Sequence, residues 1–292
     1  MITRRDFLKA GLTAAGSIIA FGPADALPAP NNRPERTRVA FLADTHIPED
    51  VNDAYRGFRP CQNLENAIPQ IVSASPDGVV IAGDLARLEG KPGDYARLKE
   101  LLTPLAGKAP VYMAPGNHDD RGNLLSVFDK APGRQNVPGK HVTVTDGPPV
   151  RVITLDSLMF VNKVPGLLGK AQRQWLQDYL RACDDTPTIL CFHHTLADGD
   201  GDLLDLPRLF EIVRPMRKVK AIVYGHSHVY GFSKYRGIHL INLPAVGYSF
   251  GDAHPVGWVE AELTARRGIF TLHAVAGNKE NDGSVKRVTW RK

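Results

Sequence analysis

Five short groups of metal-ligating side chains stand in a fixed order along this chain, and each follows an apolar run of strand length. They are Asp44-Thr45-His46, Gly83-Asp84, Gly116-Asn117-His118-Asp119, His193-His194 and Gly225-His226-Ser227-His228. The runs before them (residues 38–43, 79–82, 111–114, 188–192 and 221–224) read as buried strands. Polar side chains at the ends of five such strands limit the choice of fold sharply. In layered α/β structures, ligands collect beyond the carboxyl ends of the strands, where all five groups fall.

The rest of the pattern fits that frame. Residues 63–74 place Leu64, Ala67, Ile68, Ile71 and Val72 on one helical face, and Pro69 inside them predicts a kink or a shorter helix. Residues 95–105 read as a helix. So do 172–183, with Trp175, Leu176, Tyr179 and Leu180 on the apolar side, and 209–219, broken at Pro215. Residues 141–145 and 150–155 read as two strands joined across Asp146-Gly147-Pro148-Pro149, and further strands are expected over 239–243, 257–263, 269–275 and 285–290. No internal repeat is present. Strand–helix alternation followed by strand-rich sequence predicts an α/β fold, a four-layer αββα sandwich of two mixed β-sheets flanked by helices.

The beginning of the chain reads differently. Arg4-Arg5 precede a modest apolar stretch, residues 10–22, that is too short and too rich in Gly and Ala to span a bilayer as a stable helix. Ala24-Asp25-Ala26 is a small-x-small site suited to signal peptidase. With Phe7-Leu8-Lys9 after the pair, residues 1–26 resemble a twin-arginine export signal, which implies passage through the Tat machinery to the periplasm or beyond. A basic terminus with an apolar anchor helix is the other reading. Residues 27–37, rich in Pro and Asn, are expected to be a disordered lead-in, and 38–292 a single domain that does not span the membrane.

The formal charge is +5, and loss of residues 1–26 leaves +4, ordinary for a soluble protein. No basic block or aromatic-basic ladder points to a stable nucleic-acid partner. The cysteines are Cys61, Cys183 and Cys191, an odd number without metal-type spacing. Cys191 reads as a buried small hydrophobe, and Cys61 and Cys183 are available to pair in an oxidising compartment.

Asp44 and His46 stand two apart where the chain leaves a strand, so both side chains can turn to one point. A carboxylate such as Asp84 can bridge two cations, Asn117 offers a neutral oxygen, and His193, His226 and His228 offer ring nitrogens. This mixture suits manganese, iron or zinc better than magnesium or calcium, and the whole describes a site for two metal ions acting on a phosphate ester.

The ordered series D-x-H, G-D, G-N-H-D, H and G-H-x-H resembles the calcineurin-like metallophosphoesterases over residues 44–228. The resemblance implies that Asp44, His46, Asp84 and His228 hold one metal, and that Asp84, Asn117, His193 and His226 hold the other. It implies in-line attack by a metal-acidified hydroxide, with His118 serving the leaving oxygen and Asp119 orienting His118. Arg87 occupies the position at which purple acid phosphatases carry a metal-binding tyrosine, so their colour and ferric site are not expected.

Gly116 to Arg121, Leu155-Asp156-Ser157 and residues 172–180 resemble the bacterial cyclic-nucleotide phosphodiesterase branch, whose neighbours include glycerophosphodiesterases and lipid-directed phosphoesterases. A phosphodiesterase is therefore the favoured expectation. An exported phosphomonoesterase and a catalytically silent metal-bearing binding protein are the alternatives. Arg56, Arg59, Arg87 and Arg121 are candidate anion ligands or structural arginines, and His194 either orients a ligand or serves the core. The acidic loop Asp198-Gly199-Asp200-Gly201-Asp202 is read as a flexible lid.

Overall fold

The computed structural model describes residues 34–145 and 149–292. The expected export signal, the lead-in as far as residue 33 and the turn at 146–148 lie outside the described residues. The first half of the chain forms β1 (Arg36–Leu42), α1 (Pro60–Ala74), β2 (Gly78–Ala82), α2 (Pro92–Ala106), β3 (Val111–Ala114), α3 (Arg121–Val127), β4 (Arg134–Gln135), β5 (Val142–Val144) and β6 (Arg151–Thr154). The second half forms α4 (Lys170–Ala182), β7 (Thr188–Cys191), α5 (Leu206–Val213), β8 (Val219–Tyr224), β9 (Gly231–Tyr235), β10 (Ile238–Asn242), β11 (Pro255–Thr264), β12 (Arg267–Gly277) and β13 (Val285–Thr289).

The layers follow from the two-residue period of the strands. In β1, Ala40 and Leu42 pack with the apolar faces of α1 and α2, while Val39 and Phe41 turn the other way into a core between two sheets. In β7, Ile189 and Cys191 enter that same inter-sheet core, and Leu190 packs on the far side with Leu176 and Leu180 of α4 and Leu209 and Val213 of α5. Each fully buried large apolar side chain contributes about 1.5–3 kcal/mol, and strands buried on both faces collect this on every residue. The result is the four-layer αββα sandwich. One sheet has the order β13-β12-β11-β1-β2-β3, and the other β4-β5-β6-β7-β8-β10-β9. Strands β1, β2 and β3 are mutually parallel, as are β6, β7, β8 and β10.

Several boundaries differ from expectation. Helix α1 begins at Pro60 and runs without a break across Pro69. Helix α5 starts earlier, with a proline in its first turn, and ends at Val213, while Val219 opens β8 instead of closing a helix. Strand β1 takes in Arg36 and Thr37 from the expected lead-in, because Arg36 pairs with Thr264 in β11 and its guanidinium reaches Glu262 at 3.2 Å. The Cys61–Cys183 pairing left open by the sequence does not form: Cys61 lies in α1 against the first sheet, Cys183 caps α4 against the second, and all three cysteines are free. Among the described residues, no helix is long and apolar enough to cross a membrane.

Candidate metal centre

All five groups leave the carboxyl ends of parallel strands: β1, β2, β3, β7 and β8. Asp44, His46, Asp84, His226 and His228 have φ between 47° and 72°, the left-handed region that non-glycine residues avoid. Each such residue costs about 1–3 kcal/mol and persists only where the surroundings over-determine it. Here neighbouring loops zip together past the sheet. Asp44 N donates to Gly83 O at 2.9 Å, His46 N to Asp84 O at 2.9 Å, Gly247 N to Asp44 O at 2.8 Å, and Gly225 N to His193 O at 3.0 Å. Gly83 serves both turn and packing: its φ is 81°, and a Cβ there would lie 2.6 Å from the His193 Cβ. Gly225 is required by close approach, since a Cβ would strike the Asp44 carboxylate.

Backbone carbonyls set the tautomers. His193 Nδ1 donates to Ala82 O at 2.9 Å, His228 Nδ1 to Tyr248 O at 2.7 Å, and His46 Nδ1 to Arg87 O at 3.2 Å. In its neutral form each of these rings carries its lone pair at Nε2. His226 is turned round: its Nε2 donates to Gly201 O at 3.1 Å and its Nδ1 carries the lone pair. The acidic loop thus touches the centre through a backbone carbonyl.

The ligating ring nitrogens converge on one another and on carboxylate and amide oxygens. His46 Nε2 and His228 Nε2 face each other at 3.3 Å, and His228 Nε2 lies 3.4 Å from Asp44 Oδ1. His193 Nε2 lies 3.0 Å from His226 Nδ1, 3.0 Å from Asn117 Oδ1 and 3.2 Å from Asp84 Oδ2. Asp84 Oδ2 is also 3.6 Å from His46 Nε2, so one carboxylate stands between the two groups. Acceptors held this closely in a buried place require positive charge among them. The potential ligand atoms of Asp44, His46 and His228 lie within 4.8 Å of one another, as do those of Asp44, Asp84 and His193. The residues therefore fit a pair of cations, and the nitrogen–oxygen mixture fits transition ions.

Electrostatics carry the same message. Burial pushes His46 down to about 3 and His226 down to about 4, so both rings are neutral at pH 7. Burial opposes charge on His193 too, but the Asp84 carboxylate outweighs it and raises that ring to about 9. Asp84 is correspondingly held well below the ordinary carboxylate range: burial works against its ionisation, and the His193 charge and hydrogen bond overcome it. In the metal-free protein a proton on His193 stands where a cation fits. At pH 7 metal uptake should expel about one proton per centre, and this release should fade as pH rises through about 9, where His193 is already neutral. Titration calorimetry in buffers of different ionisation enthalpy reads the number, and pH-independent uptake would refute it.

The family pattern described as calcineurin-like phosphoesterase matches residues 37–230, most of the chain. The chain belongs to the calcineurin-like phosphoesterases. A probable cyclic nucleotide phosphodiesterase of Synechococcus sp. is 30% identical over 234 residues, covering 77% of this chain and 87% of that protein. The glycerophosphodiester phosphodiesterase GpdQ of Enterobacter lignolyticus is 26% identical over 230 residues, 74% of this chain and 81% of its own length. Among solved structures, a dimetal phosphatase from Danio rerio superposes with a TM-score of 0.67 at 16% identity, covering 87% of this chain and 99% of the other, which bears on the fold alone.

Within this phosphoesterase the structure revises one expected role. Asp119 does not orient His118. Its buried carboxylate accepts from Gly116 N at 2.8 Å, Ala86 N at 3.0 Å, Leu85 N at 3.1 Å and the Tyr95 hydroxyl at 3.0 Å, locking the β2 loop to the β3 loop. Leu88 O fixes the His118 ring instead, accepting from Nδ1 at 2.9 Å. Burial, with the nearby Asp84 charge, raises Asp119 to about 6, so the three backbone N–H donors are what keep it ionised at neutral pH. Asp119→Ala leaves those three backbone donors buried without an acceptor, while the Tyr95 hydroxyl keeps Asp120 O at 3.3 Å, and it should cost about 3 kcal/mol in urea denaturation of the metal-free protein. Unchanged stability would show that other groups hold the two loops.

Arg121 forks onto buried Asp156 at 2.5 and 2.9 Å, beside Lys140, and is structural. Arg87 pairs with Asp53 at 3.2 Å and lies over the Tyr55 ring at 4.7 Å. Arg56 donates to Phe250 O at 2.7 Å and remains exposed, and exposed Arg59 precedes α1. His194 pairs with Ser157 Oγ at 2.7 Å and packs edge-on against His193, and a ring nitrogen lies within 4.8 Å of ligand nitrogens of His193 and His226. Tyr248 escaped the sequence reading. Its ring lies 4.6 Å from His46 and 4.7 Å from His228, and no strand-end motif marks it.

Proposed function

We propose that this metal-dependent phosphoester hydrolase is a phosphodiesterase whose two cations are held by Asp44, His46, Asp84 and His228 on one side and by Asp84, Asn117, His193 and His226 on the other. The observation that carries the reading is the pair of converging nitrogen–oxygen groups joined by Asp84. Cations bound there would supply Lewis-acid charge to a phosphoryl group and acidify water at neutral pH.

The chain's own residues do the rest. Backbone carbonyls hold four imidazoles in the ligating tautomer, so little reorganisation is needed when charge arrives. Asp84 Oδ1 accepts from His118 N at 2.8 Å, tying the position of His118 to the bridging carboxylate. With Nδ1–H held by Leu88 O, Nε2 is the nitrogen that would take up a second proton and, from the imidazolium, give it to the departing oxygen. The His118 ring is only partly buried, unlike those of His46, His193 and His228, and so stays within reach of a substrate.

Diesters are favoured over monoesters because the Synechococcus and Enterobacter relatives are named as phosphodiesterases and cover most of this chain. The assay is turnover of a chromogenic diester and the matching monoester after loading with manganese, iron or zinc. Preference for the diester is expected. Preference for the monoester would make the protein a phosphatase, and no turnover of either would leave a metal-bearing binding protein.

Export by the twin-arginine route is part of the same proposal, resting on Arg4-Arg5, the short apolar stretch and Ala24-Asp25-Ala26. Arg4→Lys with Arg5→Lys should hold the protein in the cytoplasm, as read by cell fractionation. Undiminished export of that variant would exclude the route.

A further inference from the structure

Nine large apolar side chains are strongly exposed among the described residues, and they are not scattered. Tyr235 and Val285 belong to strands β9 and β13. The other seven, Val51, Tyr55, Leu88, Phe160, Val164, Leu204 and Phe250, all lie on loops that leave the carboxyl ends of parallel strands, the end that carries the metal centre. Their relative exposures run from 39% to 67%.

Contacts tie these loops to the centre. The Phe250 ring is 4.4 Å from His228, and Tyr55 reaches the centre through Tyr248, 4.8 Å away. Leu88 supplies the carbonyl that fixes His118. The loop of Phe160 is tied to the centre by Asn162 N, which donates to Asn117 O at 2.6 Å. Val164 lies against Gly201, whose carbonyl accepts from His226, and Leu204 N bonds Gly166 O at 2.9 Å on the same side. A soluble monomer rarely gathers its exposed apolar side chains into one ring. Here they stand on the loops that hold the converging histidines. An apolar surface that receives these side chains therefore meets the same end of the sheets as the metal centre.

We propose that this ring seats the enzyme on a lipid surface and that its substrate is the phosphodiester of a phospholipid. The inference rests on the hydrolase reading of the same centre. Hydrolysis places the hydroxyl of water on phosphorus and its proton on the departing alcohol, so phosphatidylcholine yields either phosphocholine with diacylglycerol or phosphatidate with choline. The ring also carries charges of both signs, Arg56 and Lys163 beside Glu89, Asp198 and Asp200, all exposed. Binding is therefore driven by apolar insertion, not by a basic patch, and zwitterionic lipid suffices.

The test uses the full, metal-loaded chain and the double variant Phe160→Ser, Leu204→Ser, whose side chains touch none of the converging groups. Both proteins share the same N-terminus, so differences between them report the ring. The unmodified protein should co-sediment with phosphatidylcholine vesicles in 0.5 M salt as well as in dilute buffer. Its hydrolysis of dihexanoyl phosphatidylcholine should rise at least tenfold on crossing the micellar concentration. The variant should lose vesicle binding tenfold and keep less than a twofold rise, while turnover of a soluble chromogenic diester reports that its centre is assembled. Soluble diester turnover without vesicle binding or a micellar rise overturns the lipid inference and leaves the hydrolase reading standing. Absence of all hydrolysis overturns that reading, and vesicle sedimentation then still judges the ring by itself. A dimer in sedimentation equilibrium that the double variant dissolves would show that a second copy of the chain covers the ring.

Discussion

Asp84→Ala is expected to abolish turnover and metal uptake together. One oxygen of this carboxylate accepts from His118 N at 2.8 Å, and the other lies 3.2 Å from His193 Nε2 and 3.6 Å from His46 Nε2. It is the one negative charge that stands between both acceptor groups. Without it, two cations brought close together would repel with only Asp44 to offset them, and His193 would lose the partner that sustains its proton in the metal-free state. The loss of several kcal/mol of charge stabilisation at the phosphoryl group corresponds to at least a roughly thousandfold drop in rate. Metal content by atomic emission should fall from about two ions per chain to one or none. Asp84→Asn separates charge from shape, since its amide oxygen can still accept from His118 N. It should fold normally yet share the metal defect. A variant that retained two ions and near-normal turnover would remove Asp84 from the bridging position.

The fold was legible where burial is two-sided. The ligand-bearing strands contribute alternate side chains to two cores, so they appear in the sequence as unbroken apolar runs such as Val79-Val80-Ile81-Ala82. Elements without that signature were missed. Helix α3 has seven residues and buries only Leu124 fully; β9 is a half-exposed edge strand; β4 spans two residues. The error in α5 has the same origin, because Leu209 and Val213 on its inner face and Val219 in the next strand join a single apolar core and blur the boundary between them.

At the site, the residue types were legible and their supports were not. Imidazoles and carboxylates at strand ends announce themselves, but the carbonyls of Ala82, Arg87, Gly201 and Tyr248 choose the tautomers, and every residue has a carbonyl. Asp119 shows the limit of adjacency. It follows His118 in sequence, yet its acceptor oxygens face Tyr95 and the backbone at 85, 86 and 116, because the left-handed residue at Asp84 and the turn after β3 bring those donors together.

His118→Ala is expected to separate chemistry from metal binding. The ring donates from Nδ1 to Leu88 O and packs beside His46 at 5.4 Å, outside the groups of converging nitrogens and oxygens. Removing it should leave two ions in place and lower kcat by about 100- to 10,000-fold, the usual worth of a positioned proton donor. The leaving group decides between this role and a merely structural one. A nitrophenolate departs without a proton, so its diester should lose little. An alkoxide needs one, so a glycerol or alkyl diester should bear most of the loss. Equal losses on both substrates would mean that His118 shapes the centre without donating, and full turnover on the alkyl diester would exclude it from the reaction. The Leu88 carbonyl makes the argument sharper. It holds Nδ1–H, so the proton in play resides on Nε2, and His118→Gln, whose amide can reach Leu88 O but cannot cycle a proton, should behave as the alanine variant does on the alkyl substrate.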